Sequence, residues 1–437
     1  MPRPLCLLLG LLLPLPAAAH GLWGHIHVTG WAVENMPDDE LRQFLLEPEV
    51  FNALIFGATF TDTGYSVSDP ASRAYSEHTH WEPFVEDYIQ WIRENDPPPW
   101  TSSESKRRVA FLLGCASHGM QDEIFDSTFL HQVGEHDGAG QEASDPATDG
   151  FLALDQHLRF FPKEDIPMDT LLQLYAGLDQ EITEEVIDLA VSRVTGFYIN
   201  DTVGPGIASQ IGTQYEEQLP WTRQNYLEAE IPGSLRAEIY PTMAYQQAVW
   251  ARLHEGLEAN EATVFGFPEA PRRLLAGATG SPDSWVTLVF GIGLQYSADI
   301  VELEDEQGQP VPFTTANTQW GPSYTRLVRL IPDQDLQPGG WYTARLRAGV
   351  ATIDGQVSTQ PRELRFQVPC EAGDTAACPE LGDIAEASIE GLVEEEEPPP
   401  PGQTEPETCG CAAAPAAPLL WGLGLGVVGL RRRRAAL

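Results

Sequence analysis

A buried-helix pattern that carries charged side chains is the feature that most constrains this chain. The apolar residues 111–116 are followed by His118, Asp122 and Asp126 at four-residue steps. On an α-helix, side chains at this spacing share one face. Charged groups in an apolar setting are very costly without partners. We therefore expect a metal ion on this face, while the alternative is an amphipathic helix with a solvated polar stripe.

Length and charge limit the classes of function. The chain has 437 residues, which is enough for two or three domains. Its 64 acidic and 25 basic residues give a formal net charge of −39. Such a charge opposes attraction to phosphate backbones. We expect no nucleic-acid partner, whereas divalent cations would be attracted.

The N-terminal residues have the features of an export signal. Arg3 precedes the apolar run 5–15, and the small residues Ala17–Ala19 follow. This order is typical of a secretory signal peptide over residues 1–19. The mature chain is then predicted to begin at His20.

The C-terminal residues 409–437 predict a membrane-spanning tail. Cys409 and Cys411 precede an apolar segment, 412–430, and four arginines at 431–434 close it. About 19 apolar residues can span a bilayer, with the arginines on the cytoplasmic side. The order resembles the C-terminal sorting signals of myxobacteria. The resemblance implies export, handling by a sorting machinery, cleavage near the cysteines, and retention at the cell surface or release.

Two other cysteines fit an exported protein. Cys370 and Cys378 are close enough in sequence to form a small disulfide loop in an oxidising compartment. Cys115 lies in the apolar run, where we expect a buried, inert thiol.

Apolar residues at helical spacing predict one all-α domain over residues 20–262. We expect a long irregular connection at 134–149, beside the candidate metal face. The clearest predicted helices, apart from the stretch that carries His118, cover residues 83–94, 168–178, 183–194 and 240–257.

Residues 263–369 predict an all-β sandwich. Alternating or apolar runs separated by Gly and Pro turns occur at 285–290, 325–330, 341–346 and 364–368. The sequence from Leu336 through Gly339 into Trp341 resembles bacterial Ig-like domains, which implies a spacer or packing role without chemistry. The acidic, Pro-rich residues 370–408 predict an extended linker.

Three further candidate ligands precede the central helix. They are His25, Asp62 and His80. Each alone is weak evidence for a metal site. A histidine beside tryptophan, for example, is more often a satisfied core residue. With His118, Asp122 and Asp126 they give three imidazoles, three carboxylates and no thiolate. That set suits catalytic zinc better than a structural zinc site, which favours cysteines.

The order and wording of these motifs resemble the zinc-dependent phospholipase C family. The runs that carry the resemblance are Thr79–Phe84, Trp91–Asn95, Ala110–Gly114 and Ser117–Asp122, together with His25 and Asp62. Within that family the likeness is to the N-terminal domain of glycosylphosphatidylinositol-specific phospholipase D. It extends well over residues 21–175 and loosely over the rest of the helical domain.

The resemblance implies an all-α fold around two to three zinc ions. It implies that His25 shares one metal with the amine and carbonyl of His20, which requires cleavage after Ala19. The principal metals would be held by Asp62, His80, His118 and Asp122, with Asp122 as a bridge. Asp62 also matches the proposed general base.

The third metal position departs from the family pattern. Asp126 stands where the phospholipase D relatives have histidine, so this site should be richer in oxygen. The best further ligands in the sequence are His136 and Asp149. The competitors in the same segment are His131, Glu135, Glu142 and Asp145. Manganese or calcium could fit such ligands instead of zinc.

These features favour a secreted, surface-associated, metal-dependent phosphodiesterase. Its substrate would be a phospholipid or a lipid-linked phosphodiester, cleaved by metal-activated water. One alternative is a cell-surface binding protein that keeps the fold but has lost turnover. A single-strand nuclease is a second alternative, which the acidity and the lack of a basic, aromatic groove disfavour.

Overall fold

The structure is a computed structural model that describes two regions of the chain. The N-terminal region covers residues 21–229 and 231–254. The C-terminal region covers residues 264–266, 286–295, 297, 299–316, 324–337, 339–359 and 361–368. Several predictions lie outside the described residues: the signal peptide, His20, the disulfide between Cys370 and Cys378, the linker and the sorting tail. Within these ranges, no helix is both long enough and apolar enough to cross a membrane.

The N-terminal region is helical, which confirms the predicted class of this region. Its described α-helices are α1 Leu22–Asn35, α2 Glu40–Leu45, α3 Pro48–Thr63, α4 Pro70–Thr79, α5 Glu82–Asn95, α6 Ser103–Ile124, α7 Leu130–His136, α8 Gln141–Leu154, α9 Met168–Leu174, α10 Glu184–Arg193, α11 Gly204–Tyr215, α12 Pro220–Asn225 and α13 Ile239–His254. Short 3₁₀ turns lie at Gly64–Ser66 and Tyr175–Gly177.

Helices α3 and α6 form the centre of this region and approach each other through glycines. A Cβ on Gly114 would lie 2.1 Å from the Leu54 carbonyl oxygen, and one on Gly57 would lie 2.3 Å from the Phe111 carbonyl oxygen. Only glycine permits so close an approach of two backbones. Cys115 lies in the same contact, buried, with Sγ 3.5 Å from the Gly57 carbonyl oxygen. Burial raises the pKa of this thiol, as expected for an inert cysteine.

The helix that carries His118 does not continue as predicted. Helix α6 ends at Ile124, and a π-helical turn follows over Phe125–Phe129. Asp126 therefore lies in a wider turn than His118 and Asp122. Such π turns occur often at functional sites.

The predicted irregular connection at 134–149 is largely helical, so this expectation is wrong. Helix α7 runs to His136 and α8 begins at Gln141, which leaves only residues 137–140 between them. The Gly and Pro residues suggested a loop. However, Gly134 lies inside α7 and Pro146 inside α8.

The C-terminal region is rich in strands that form antiparallel sheets. The strands are β1 Val264–Gly266, β2 Val286–Gln295, β3 Val301–Asp305, β4 Phe313–Ala316, β5 Tyr324–Pro332, β6 Trp341–Leu346 and β7 Arg362–Gln367. One sheet has the order β1-β2-β5-β4 and the other has β3-β6-β7. The predicted turn before Trp341 is present, with Gly339 at φ +74°.

The strand region packs directly on the helical region. Gly293 of β2 donates its N–H to Glu82 Oε1 at 3.1 Å. The Glu82 carboxylate also accepts from Tyr245 and from Arg252, both of α13. Glu82 is 3% exposed, so this buried acid is satisfied by both regions together.

Candidate metal centre

Helix α1 carries His25 and is anchored at its N-terminus by Asp149. The Asp149 carboxylate accepts from the N–H groups of Trp23, at 3.1 Å, and Gly24, at 2.8 Å. These are unpaired donors of the first turn, where negative charge is favoured. His25 Nδ1 lies 2.8 Å from Gln121 Oε1 of α6, which fixes the ring orientation. The ring of His25 therefore points its Nε2 atom toward α6.

Two backbone carbonyls orient the next two imidazoles. His80, just after α4, donates its Nδ1–H to the Ser76 carbonyl oxygen at 2.6 Å. His118 donates its Nδ1–H to the Ala58 carbonyl oxygen at 2.6 Å, across the close contact of α3 and α6. Because each Nδ1 carries the proton, each Nε2 atom is left to bind a cation.

Four donor atoms converge in one place. The Nε2 atoms of His80 and His118 are 3.2 Å apart. Asp62 Oδ1 lies 3.2 Å from the first and 3.6 Å from the second. Asp122 Oδ2 lies 3.3 Å and 3.2 Å from the same two atoms. Tetrahedral zinc, with donors about 2.0–2.1 Å away, requires separations of about 3.3–3.4 Å between donors. The residues present fit zinc.

A second group shares members with the first. His25, His118 and Asp122 also bring ligand atoms within 4.8 Å of one another. His25 Nε2 lies 3.2 Å from Asp122 Oδ1, and its ring stacks on that of His118 with centroids 3.6 Å apart. The two oxygens of Asp122 thus face different groups, so Asp122 could offer one donor atom to each.

The electrostatics of the cluster favour cations. Burial alone would lower the pKa of His118, but Asp122 and Asp62 raise it to about 10. Burial opposes ionisation of Asp62, yet His118 and His80 lower its pKa to about 2. In the metal-free protein, protons on the imidazoles provide the positive charge that a metal ion would otherwise provide.

A second histidine of α1, His27, has hydrogen-bond partners at both ring nitrogens and is not a candidate metal ligand. It lies on α1 two residues after His25, with its Nδ1 donating to the Trp23 carbonyl oxygen at 2.8 Å. Its Nε2 accepts from the Arg159 N–H at 2.9 Å. Burial lowers its pKa to about 3, so it is a neutral core residue.

Further buried acidic residues lie near the donor cluster. Asp145 of α8 is 4% exposed, and in the described part of the chain neither of its oxygens has a hydrogen-bond partner. Burial raises the pKa of Asp145 and so do Asp126 and Asp122. The buried Glu238 also has a raised pKa, from burial and from Asp122 and Asp126. A buried carboxylate without a partner, such as that of Asp145, is costly unless a cation or proton neutralises it.

The remaining sequence candidates lie elsewhere. His136 is exposed and stacks on Trp221, with ring centroids 4.8 Å apart. His131 and Glu135 form an exposed pair at 3.1 Å, and Glu142 is exposed. Among the candidates in this segment, Asp145 is buried and its pKa is raised by burial and by Asp126 and Asp122, whereas His136 is exposed. The i,i+4 spacing of Asp145 and Asp149 on one helix was the available signal.

Comparisons with known proteins agree with this centre. Residues 24–158 match the family model of zinc dependent phospholipase C. Phosphatidylinositol-glycan-specific phospholipase D of Homo sapiens is 31% identical over 202 residues, which cover 41% of this chain and 24% of that protein. The protein of that name from Mus musculus is 29% identical over 193 residues, covering 40% and 23%. The chain thus spans about a quarter of the length of these relatives.

A solved structure with a weak match is the N-terminal part of the bacterial S-layer protein SbsC. It shares 9% identity over 73% of this chain and 79% of that chain, with a TM-score of 0.20, which carries no argument about the fold. The match to the family model, in contrast, covers the helices that hold the donor atoms. This match and the similarity to the two phospholipase D proteins confirm that the N-terminal region resembles the zinc-dependent phospholipase C family.

Proposed function

We propose that this protein is a secreted, surface-associated metal-dependent phosphodiesterase that hydrolyses phospholipids or lipid-linked phosphodiesters. One observation carries the proposal. His80, His118, Asp62 and Asp122 converge at the separations that tetrahedral zinc requires, inside the segment that matches the phospholipase C family. The names of the relatives support a lipid phosphodiester as substrate.

The residues of the site have distinct parts in this proposal. Zinc bound here would act as a Lewis acid toward the phosphodiester and would acidify water. Asp62, ionised at neutral pH, accepts the proton of the attacking water as general base. The carbonyls of Ala58 and Ser76 keep the two imidazoles in the ligand tautomer. Gln121 does the same for His25.

The metal content of the proposed site is two to three ions. One ion would take His80, His118 and Asp122, with a position left for water beside Asp62, and a second would take His25 and Asp122 with the amine and carbonyl of His20. A third position would use Asp126 and Asp145, with Asp149 beside it. Because this set offers only oxygen, it suits manganese or calcium better than zinc. His136 remains outside it.

The export and surface attachment of the enzyme are proposed from the sequence alone. The signal peptide, the Cys motif, the apolar segment and the arginine cluster support export and attachment to the cell surface. The two antiparallel sheets support an Ig-like sandwich for the strand region. Attachment to a surface would keep the site near lipid substrates.

A binding protein without turnover is the second candidate. The observation that favours it is the all-carboxylate third position at Asp126 and Asp145, where a change of metal could remove activity. Nucleic acid is a weaker substrate, because the net charge of −39 opposes it.

The test is hydrolysis by zinc-loaded protein that begins at His20. The substrates are vesicles of phosphatidylcholine or phosphatidylinositol, a glycosylphosphatidylinositol-linked protein, and single-stranded DNA. We expect release of a lipid head group by the wild type and by the control His136→Ala, and a loss of at least about 100-fold in Asp62→Asn. Binding to vesicles without hydrolysis would favour the binding protein, and cleavage of DNA alone would favour the nuclease.

A further inference from the structure

An arginine of the strand region lies inside the helical region, against the metal centre. Arg326 belongs to β5 and is fully buried. Its Nε and Nη2 atoms donate to Glu123 Oε1 at 2.8 Å and 2.6 Å, and Nη2 donates to the His80 carbonyl oxygen at 3.1 Å. Its Nη1 atom is 3.8 Å from Glu82 Oε2.

The local structure of the sheet directs this side chain. Val289 pairs with Leu327 and Leu294 pairs with Thr325, so residues 290–293 of β2 oppose the single residue Arg326. A bulge of this kind bends the strand and can re-aim a side chain. Gly293 of the bulge contacts Glu82 by its N–H, which docks the bulge on the start of α5.

Two of the groups that Arg326 contacts belong to a candidate metal ligand or to its neighbour in the sequence. The carbonyl belongs to His80 itself, and Glu123 is the residue after Asp122. Gly119, the residue after His118, is so close that a Cβ there would lie 2.8 Å from Arg326 Nη2. The guanidinium therefore joins the end of α4 to the last two turns of α6, and these two segments carry His80, His118 and Asp122.

The contact between Arg326 and Glu123 buries two opposite charges. Glu123 is 6% exposed, and Arg326 is its buried positive partner. A buried ion pair costs desolvation that only good geometry repays. Arginine holds such geometry because its planar fork fixes several donors at once, whereas lysine presents a point charge.

We propose that Arg326 is a positioning residue for the metal centre, so that the strand region completes the site instead of acting only as a spacer. The inference rests on the proposed function for the identity of the ligands. Arg326 does not itself offer a ligand to the metal. It acts by fixing the position of His80 relative to α6. Outer partners of this kind usually change metal affinity by about 10–100-fold when they are removed.

The test compares Arg326→Met and Arg326→Lys with Arg345→Met in the full chain. Arg345 is a matched control, because it pairs with Glu302, Glu304 and Glu363 within the other sheet, away from α6. The first readout is the zinc dissociation constant, from competition with a chromophoric chelator. The second is the visible absorption of the cobalt-loaded protein, which reports ligand geometry. Denaturant unfolding of the metal-free proteins separates stability from metal binding.

We expect zinc to bind about 10–100-fold more weakly in Arg326→Met, with an altered cobalt spectrum. Arg326→Lys should fold, because it keeps the charge beside Glu123, and should show a smaller change in both readouts. Arg345→Met should match the wild type in both. Folded Arg326 variants with wild-type zinc affinity and cobalt spectrum would overturn the inference alone. A wild type that binds no zinc would overturn the proposed function as well.

Discussion

The Nε2 atoms of His80 and His118 face each other at 3.2 Å, while each ring donates its Nδ1–H to a backbone carbonyl. Two lone pairs at this separation repel each other unless a cation lies between them or one ring gains a proton. Asp62 and Asp122 stand beside the pair and stabilise positive charge there. The fold therefore maintains a place for a cation.

Replacing His118 should remove most metal binding, because its Nε2 atom belongs to both donor groups. Loss of an outer partner typically weakens metal affinity by about 10–100-fold, and loss of this direct donor should exceed that. Elemental analysis of His118→Ala and of the exposed control His136→Ala, after dialysis, measures the difference. Equal zinc content in both variants would contradict the donor assignment.

Zinc binding should release protons, and affinity should rise with pH up to about 10. Asp122 and Asp62 overcome the effect of burial and raise the pKa of His118 from 6.5 to about 10. The charged ring thus stabilises the metal-free fold fully below about pH 6.5, and this contribution is lost as the pH rises through about 10. Calorimetric titration of the wild type in two buffers of different ionisation enthalpy counts the protons that zinc binding releases. A heat that is independent of the buffer would refute this.

Asp145→Asn should stabilise the metal-free protein and weaken binding of manganese or calcium. The change removes a buried carboxylate whose oxygens lack partners in the described residues, a defect that costs about 1–3 kcal/mol. Thermal unfolding with chelator and with each metal tests both effects. Glu142→Gln, exposed on the same helix, should change neither. A loss of stability in Asp145→Asn without metal would argue against an unpaired acid.

Gly114→Ala should separate α3 from α6 and weaken both the fold and the metal site. The new methyl group would lie 2.1 Å from the Leu54 carbonyl oxygen, and such overpacking costs about 1–3 kcal/mol. His118 would then lose its hydrogen bond to Ala58, so zinc affinity should fall as well. Gly206→Ala in α11 is the control, since a Cβ there meets nothing within 4 Å. Unfolding curves should show a loss of stability in Gly114→Ala and a gain in Gly206→Ala. Zinc titrations should show a loss of affinity only in Gly114→Ala.

Arg252→Met should destabilise the protein by about 3–5 kcal/mol, because Glu82 and Glu86 would lose a buried partner. Arg107→Met, which removes a more exposed pair with Asp165, should cost at most about 1 kcal/mol. Denaturant unfolding measures both. Similar costs for the two substitutions would show that the buried network contributes little.

The sequence was sufficient for the helical region and for the residues that converge. Periodic apolar residues marked the helices, and the order of His25, Asp62, His80, His118 and Asp122 placed the donors, which the structure brings together. The strand-rich region was predicted from alternation, although β1, β3 and β4 were not identified. These three strands are short and lack a long apolar run.

What could not be predicted depends on contacts between distant residues. Arg326 meets Glu123 across more than 200 positions, and in the sequence it is one of two arginines in β5, with nothing to distinguish it from Arg329. The π turn at 125–129 has no local signal in the sequence, and the helices on either side of residue 140 form in spite of Gly134 and Pro146. The Ig-like identity, the signal peptide and the sorting tail remain predictions.

The acceptors that hold His80 and His118 are main-chain carbonyls of Ser76 and Ala58, so they exist whatever side chain those positions carry. Related chains can therefore change residues 58 and 76 and keep both rings in place, provided that the helices stay close together. Divergence at these positions would say nothing about the chemistry of the site, whereas a bulky residue in place of Gly57 or Gly114 would signal that the site has been lost.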